Sequence, residues 1–194
     1  DVQLEAPIRR PPKILAVGLN YRDHIEETGR PMPEVPMIFN KQSTAVTGPG
    51  AAIWRPKDCV ELDYEGELGV VIGKRCRRVP KDKAATVIAG YTIVNDVSVR
   101  DWQARSATTT MGKSWDTHCP MGPYIVTTDE VPDPHRLDLK TWVNGELRQN
   151  SNTKHLIFNC FDIVEHLSTA FTLEPGDVIA TGTPSGVILG MDPK

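Results

Sequence analysis

Two carboxylates two residues apart, Glu65 and Glu67, open the apolar run Leu68-Gly69-Val70-Val71-Ile72. In an extended chain alternate side chains share a face, so the two acids point one way and Leu68, Val70 and Ile72 the other. Adjacent like charges repel and are costly to bury, so the chemical use of such a pair is to hold a cation between them. Hard oxygen ligands suit Mg2+, Mn2+ or Ca2+. The same spacing equally describes a half-buried strand whose acids face water. Asp96 ends a second apolar run, Gly90-Tyr91-Thr92-Ile93-Val94. It offers either a third carboxylate ligand from a rigid support or the N-cap of a helix beginning there.

Other groups widen the choice. His24 and Glu27 are three apart, on one face of a short helix, where a carboxylate can orient an imidazole as a general base or merely form an exposed pair. Met111-Gly112-Lys113-Ser114 looks like the end of a phosphate loop, but that pattern needs a glycine where Ala107 stands, so a nucleoside triphosphate site is rejected. Lys113 then pairs on the surface or meets an anionic substrate. His118-Cys119 invites a thiol nucleophile, against which stands the ordinary fate of a cysteine, packing in a core. Thr181-Gly182-Thr183-Pro184 presents hydroxyls and amides that suit an anion.

These groups need supports. Lys13-Ile14-Leu15-Ala16-Val17-Gly18 is a buried strand, and a brief helix follows from about Tyr21, ended by Gly29 and shut off by Pro31 and Pro33. A proline-rich loop over 31–36 leads into a strand that ends at Lys41. A helix starts near Pro80. Asn144-Gly145 between alternating segments marks a hairpin. Asp162-Ile163-Val164-Glu165 resembles a capping box opening an amphipathic helix with Ile163, Val164, Leu167, Ala170 and Phe171 on its apolar side. Val178-Ile179-Ala180 is a further buried strand.

At 194 residues the default is one domain over 1–194, and no repeat or linker divides the chain. A net charge of -3 argues against nucleic acid as a partner, since the one basic cluster, Lys74-Arg75-Cys76-Arg77-Arg78, reads as a solvated turn. No apolar run suits a membrane span, and residues 1–12 lack the core of a secretory signal, so an intracellular, cytoplasmic protein is expected. Cys59, Cys76, Cys119 and Cys160 form no close pair and are expected to be reduced.

Five ordered motifs resemble the fumarylacetoacetate hydrolase superfamily: Val17-Gly18-Leu19-Asn20-Tyr21-Arg22-Asp23-His24, Asp63-Tyr64-Glu65-Gly66-Glu67-Leu68, Asn95-Asp96-Val97-Ser98-Val99-Arg100-Asp101-Trp102-Gln103, Gly112-Lys113-Ser114-Trp115-Asp116-Thr117 and Thr181-Gly182-Thr183-Pro184. The resemblance implies an α+β, mainly β fold, a mixed sandwich or roll with short helices, assembled as a homodimer. It implies Mg2+ or Mn2+, with Ca2+ as an alternative, held by Glu65, Glu67 and Asp96. Lys113, Lys41 and Gln103 match polar positions of the pocket, Thr183 the place of a substrate carboxylate, and His24 with Glu27 a dyad on a lid helix. Members act on small anionic keto acids, by hydrolytic carbon–carbon cleavage, decarboxylation or isomerisation. A hydrolase of acylpyruvate or fumarylpyruvate type leads; an isomerase or decarboxylase of ring-cleavage products and a metal-dependent dicarboxylate-binding module are the rivals. The resemblance also leads one to expect a further hairpin after Gly186, and a glycine where Ile188 stands.

Overall fold

The computed structural model describes residues 4–191; the outermost three positions at each end, which the expected 1–194 domain also includes, lie outside the described residues. In chain order the elements are β1 (Ile14–Gly18), α1 (Arg22–Thr28), β2 (Met37–Lys41), β3 (Val46–Thr47), β4 (Leu62–Asp63), β5 (Gly66–Ile72), β6 (Ile88–Asn95) and β7 (Ser98–Val99). Then come α2 (Arg100–Gln103), α3 (Thr110–Lys113), β8 (Cys119–Thr127), β9 (Asp138–Val143), β10 (Glu146–Asn152), α4 (Cys160–Ala170) and β11 (Val178–Ala180).

Seven strands form one sheet in the order β2-β1-β11-β5-β6-β8-β3. The β1·β11 and β3·β8 pairs are parallel and the rest antiparallel. The expected mainly β, α+β fold is what forms, with the sheet curled into a half-barrel. Strand alternation sorts the side chains onto two faces. Leu15, Val17, Leu68, Val70, Ile72, Tyr91 and Ile179 meet Ile163, Val164 and Leu167 of α4 in the larger core, while Ile14, Ala16, Val94, Val178 and Ala180 pack with Ala45, Cys119 and Met121 in the smaller.

Local signals explain the boundaries. Gly29 ends α1 at φ 63°, the left-handed conformation that a residue without Cβ adopts freely. Asn144 and Gly145 both take positive φ in the β9–β10 hairpin, as a tight two-residue turn requires. One expectation is corrected. The capping box of α4 lies three residues earlier, with Asn159 as N-cap and Asp162 bonding back to its backbone, because the asparagine side chain reaches the amides of Phe161 and Asp162 first. The helix expected near Pro80 forms directly after it, as a 3-10 helix, Lys81–Val87.

Candidate active site

β5 and β6 run side by side, with Glu67 opposite Val94. That register sets the mouth of β5 beside the end of β6, and one oxygen each of Glu65, Glu67 and Asp96 falls within 4.8 Å of the others. All three residues are buried, so the alternative of acids on a solvated face does not apply. Asp96 is not a helix cap either: α2 begins at Arg100, after Val99. The Asp96 amide donates to the Glu65 carbonyl (2.9 Å), and the Glu65 amide to the Asn95 side chain (3.1 Å), locking the two ends together.

Three cations offset these acids. Lys113 Nζ lies 2.7 Å from Glu65 and 3.0 Å from Asp96, and Arg100 Nη2 pairs with Glu65 and Asp63, each at 2.7 Å, while its Nε donates to Asp63 (2.8 Å). Lys41 Nζ lies 2.5 Å from the other Asp96 oxygen and also donates to the Lys113 carbonyl. Asp63, Glu65, Glu67 and Asp96 against Lys41, Arg100 and Lys113 leaves one negative charge in excess.

The excess falls on Glu67, which forms no ion pair among the described residues and accepts a 2.7 Å bond from the Gly182 amide. Burial, then the charges of Asp96 and Glu65, push its carboxyl well above the ordinary range. Burial also works against ionised Glu65, but Lys113 and Arg100 outweigh it and hold that carboxyl at about 2. Burial disfavours the Lys113 cation, yet Asp96 and Glu65 more than compensate and its pKa is raised. Lys113 is therefore a fixed positive charge, not a base. The three buried hard-oxygen donors and the unmatched negative charge fit a divalent ion such as Mg2+ or Mn2+.

Glu65, Glu67, Lys113, Arg100, Gln103, Thr183 and His24 border one cavity of about 70 Å3, whose wall also includes Leu19, Arg30, Met37, Phe39, Thr109 and Leu189. His24, on α1, donates its Nδ1–H to Glu27 Oε2 (3.1 Å), and the Gly186 amide donates to Glu27 Oε1 (2.9 Å). The dyad is thus braced from the loop after β11. Gly186 has φ 96°, and a Cβ there would fall on the Arg148 carbonyl. Ile188, where a glycine was expected, takes no positive φ; its amide and that of Leu189 bond Asp63 (2.9 and 3.1 Å) in a 3-10 turn, Ile188–Gly190.

The sequence-predicted residues are not all in one place. Gln103 reaches the cavity, with its carbonyl oxygen bound by Arg100 (2.9 Å). Thr183 also reaches it, but its hydroxyl already donates to the Gly66 carbonyl (2.9 Å) and accepts from Gln149 (2.8 Å). Lys41 does not border the cavity; it stands behind Asp96. Cys119 is fully buried in the smaller core and its thiol is pushed up to about 12 by burial, which removes the thiol-nucleophile reading. Sequence reasoning missed Arg100 and Asp63. The available signal was slight, an aspartate and an arginine standing inside two of the quoted motifs.

Comparison with known proteins follows the same lines. The sequence model of the fumarylacetoacetate (FAA) hydrolase C-terminal family matches residues 13–194. The structure of 5-carboxymethyl-2-hydroxymuconate delta-isomerase from Mycobacterium smegmatis is 49% identical and superposes with a TM-score of 0.87 over 96% of this chain and 73% of that one. The fumarylacetoacetate hydrolase of Exiguobacterium antarcticum is 42% identical, with a TM-score of 0.90 over 100% of this chain and 70% of that one. A Burkholderia ambifaria relative described no more narrowly than as a hydrolase is 47% identical over 195 residues, 100% of this chain and 69% of that protein. The chain spans 65 to 69% of the length of the Burkholderia relatives it matches.

Proposed function

The chain belongs to the fumarylacetoacetate hydrolase family, and from that premise we propose that it is a divalent-metal-dependent hydrolase of 2,4-dioxo acids of acylpyruvate or fumarylpyruvate type. The observation that carries this reading is His24, braced by Glu27, on the same cavity as Glu65 and Glu67, whose carboxylates cluster with Asp96 behind them. A bound Mg2+ or Mn2+ supplies Lewis-acid stabilisation of negative charge on the 2-oxo oxygen.

The chain's own residues supply the rest. With Glu27 accepting from Nδ1–H, the Nε2 lone pair of His24 is left to take a proton from water. The hydroxide adds to the distal carbonyl carbon, and the bond between that carbon and the neighbouring methylene breaks. The electron pair passes to the pyruvate fragment as an enolate, which the Lys113 charge stabilises. The proton held by His24 returns to that fragment, giving pyruvate and a carboxylic acid. Arg30 at the cavity mouth forms no ion pair among the described residues and suits a second carboxylate on the substrate.

A cavity of about 70 Å3 holds roughly two waters, too little for an acylpyruvate. Substrate entry therefore requires α1 and the loop over 29–36 to lift, the lid motion that Gly29 and the following prolines suit. A homodimer is part of the same proposal.

An isomerase acting on a ring-cleavage dioate is the second reading, favoured by the 49% identical Mycobacterium smegmatis isomerase. Turnover of acetylpyruvate, fumarylpyruvate and a 2-hydroxyhepta-2,4-diene-1,7-dioate, with Mg2+ or Mn2+ and with chelator, separates the two. Metal-dependent release of pyruvate supports the hydrolase. Double-bond migration without cleavage, together with intact acylpyruvates, overturns it.

A further inference from the structure

Among the described residues the Glu67 carboxylate accepts one hydrogen bond, from the Gly182 amide to its Oε2 (2.7 Å). The other side of that peptide unit is held as well. The Thr181 carbonyl accepts a buried bond from Asn20 Nδ2 (2.7 Å). The Thr181–Gly182 peptide is trans, so its carbonyl and its amide point in opposite directions. Asn20, one peptide plane and Glu67 thus stand in series, each donating to the next. A donor on the carbonyl polarises the peptide and strengthens its amide as a donor in turn.

Asn20 is fixed on every side. It is fully buried, its Nδ2 also donates to the Phe158 carbonyl (2.9 Å), and its Oδ1 accepts from the Phe158 amide (2.8 Å). Its backbone carbonyl accepts from the Ile157 amide (2.9 Å). These partners settle which way the side-chain amide is turned, because only the nitrogen can meet two carbonyls. Gly182 completes the fit. It has φ 103°, and a Cβ there would lie 2.8 Å from the Asn20 Cβ and 3.0 Å from the Val17 carbonyl oxygen. Only glycine lets the peptide come this close in that conformation. The bonds to Phe158 and Ile157 tie the end of β1 to the segment entering α4, whereas the bond to Thr181 acts on the peptide that Glu67 meets.

We propose that Asn20 is a positioning residue for the metal centre: through the Thr181–Gly182 peptide it holds the Glu67 carboxylate in place beside those of Glu65 and Asp96. This rests on the three acids being a metal site. Glu65 and Asp96 are each held by two cations, Lys113 and Arg100 for the first, Lys41 and Lys113 for the second. Glu67 has no ion pair among the described residues, so the Gly182 amide is the polar contact that orients it, and Asn20 is what orients the amide.

The test is calorimetric titration of the full chain with Mg2+ and with Mn2+. Asn20→Ala should bind each ion roughly 10- to 100-fold more weakly than the parent, as loss of a group behind a metal ligand predicts. Thr153→Val is the control for stability alone. Thr153 does not border the cavity, and its Oγ1 donates to the Pro134 carbonyl (2.8 Å) and accepts from the Leu137 amide (2.9 Å). Losing those bonds should lower the melting temperature and leave both affinities within about 2-fold. An Asn20→Ala chain that binds like the parent overturns the proposal, as does equal weakening in Thr153→Val, which would make the effect one of general stability. Nuclear magnetic resonance of the isotope-labelled parent keeps the test open if Asn20→Ala fails to fold. Bound Mg2+ draws charge from Glu67 and makes it a poorer acceptor, so the Gly182 amide and the Asn20 side-chain amide signals should move upfield together. A Gly182 signal that moves alone overturns the proposal. A parent that binds neither ion overturns the metal reading and this role with it, whereas a parent that binds and an Asn20→Ala chain that matches it overturn this role alone.

Discussion

Replacing each of the three clustered acids by its amide should give opposite effects on stability. Glu65 has Lys113 and Arg100 as partners, each at 2.7 Å, and Asp96 has Lys41 at 2.5 Å and Lys113 at 3.0 Å. Removing one partner of a buried pair leaves uncompensated charge and costs about 3–5 kcal/mol. The side chains of Glu65 and Asp96 are 8% and 0% exposed, so solvent screening gives little relief. For a chain of 194 residues that corresponds to a melting temperature lower by roughly 6–20 °C. Glu67 differs in sign. A carboxyl whose folded pKa lies above its unfolded value costs stability at every pH above the unfolded value, and burial with Asp96 and Glu65 raises that of Glu67. Glu65, held at about 2, contributes stability above its unfolded pKa of about 4.5 and loses it only as pH falls through the folded value. In chelated buffer at neutral pH, Glu65→Gln and Asp96→Asn should therefore melt well below the parent, and Glu67→Gln at or above it. Titration with Mg2+ or Mn2+ should raise the parent's melting point, by about 2.7 kcal/mol of stability at one hundred times Kd, and raise none of the variants comparably. A Glu67→Gln chain as unstable as Glu65→Gln would refute the reasoning, because the excess charge would then not reside on Glu67.

Three further outcomes are expected. Gly186→Ala should lower stability by about 1–3 kcal/mol, through the strain of φ 96° and the collision with Arg148, and should also lower kcat by releasing Glu27; a thermal melt with steady-state kinetics checks both. Metal affinity should fall as pH is lowered from the alkaline side, because a proton on Glu67 competes with the ion, and the fall should begin above the ordinary carboxylate range; titration calorimetry at several pH values measures this, and a pH-independent affinity would contradict it. Arg30→Gln should weaken turnover of fumarylpyruvate by about 10-fold or more while sparing acetylpyruvate, whose distal end is neutral; equal losses would argue that Arg30 acts only through the lid.

Motifs that combine a local signal with a chemical one were the legible part. Glu65 and Glu67 are two apart on a strand and must share a face, and His24 and Glu27 are three apart on a helix that Gly29 ends, so period alone brings each pair together. Asp96 came as a strand-end residue whose register with β5 no sequence pattern specifies. The misplaced start of α4 is a competition between two acceptable caps, which the longer reach of helix toward Asn159 decided. Lys41 was assigned to the pocket through the family resemblance alone; in the structure it pairs with Asp96 and does not border the cavity. Arg100 was hidden for the opposite reason. Its partners Asp63 and Glu65 lie more than thirty residues away, and long-range ion pairs leave no periodic trace.

The electrostatics of the cavity wall also narrow the proton chemistry to one group. Lys113 and Arg100 are both held in their charged forms by the acids beside them, so neither accepts a proton near neutral pH. Glu65, at about 2, is too weak a base and is bonded to both cations. Glu67 is the one carboxylate whose proton affinity is raised, but using it as a base would remove a negative charge from the place where a divalent ion is to be held. Gln103, Thr109 and Thr183 do not titrate. His24 remains, with Nδ1 tied to Glu27 and Nε2 free of any partner among the described residues. An imidazole fixed in that way presents a lone pair in a set direction, and α1 carries it as the lid moves. Under the proposed hydrolysis, water would be activated only with the lid down, which would tie the hydrolytic proton transfer to closure over a bound substrate.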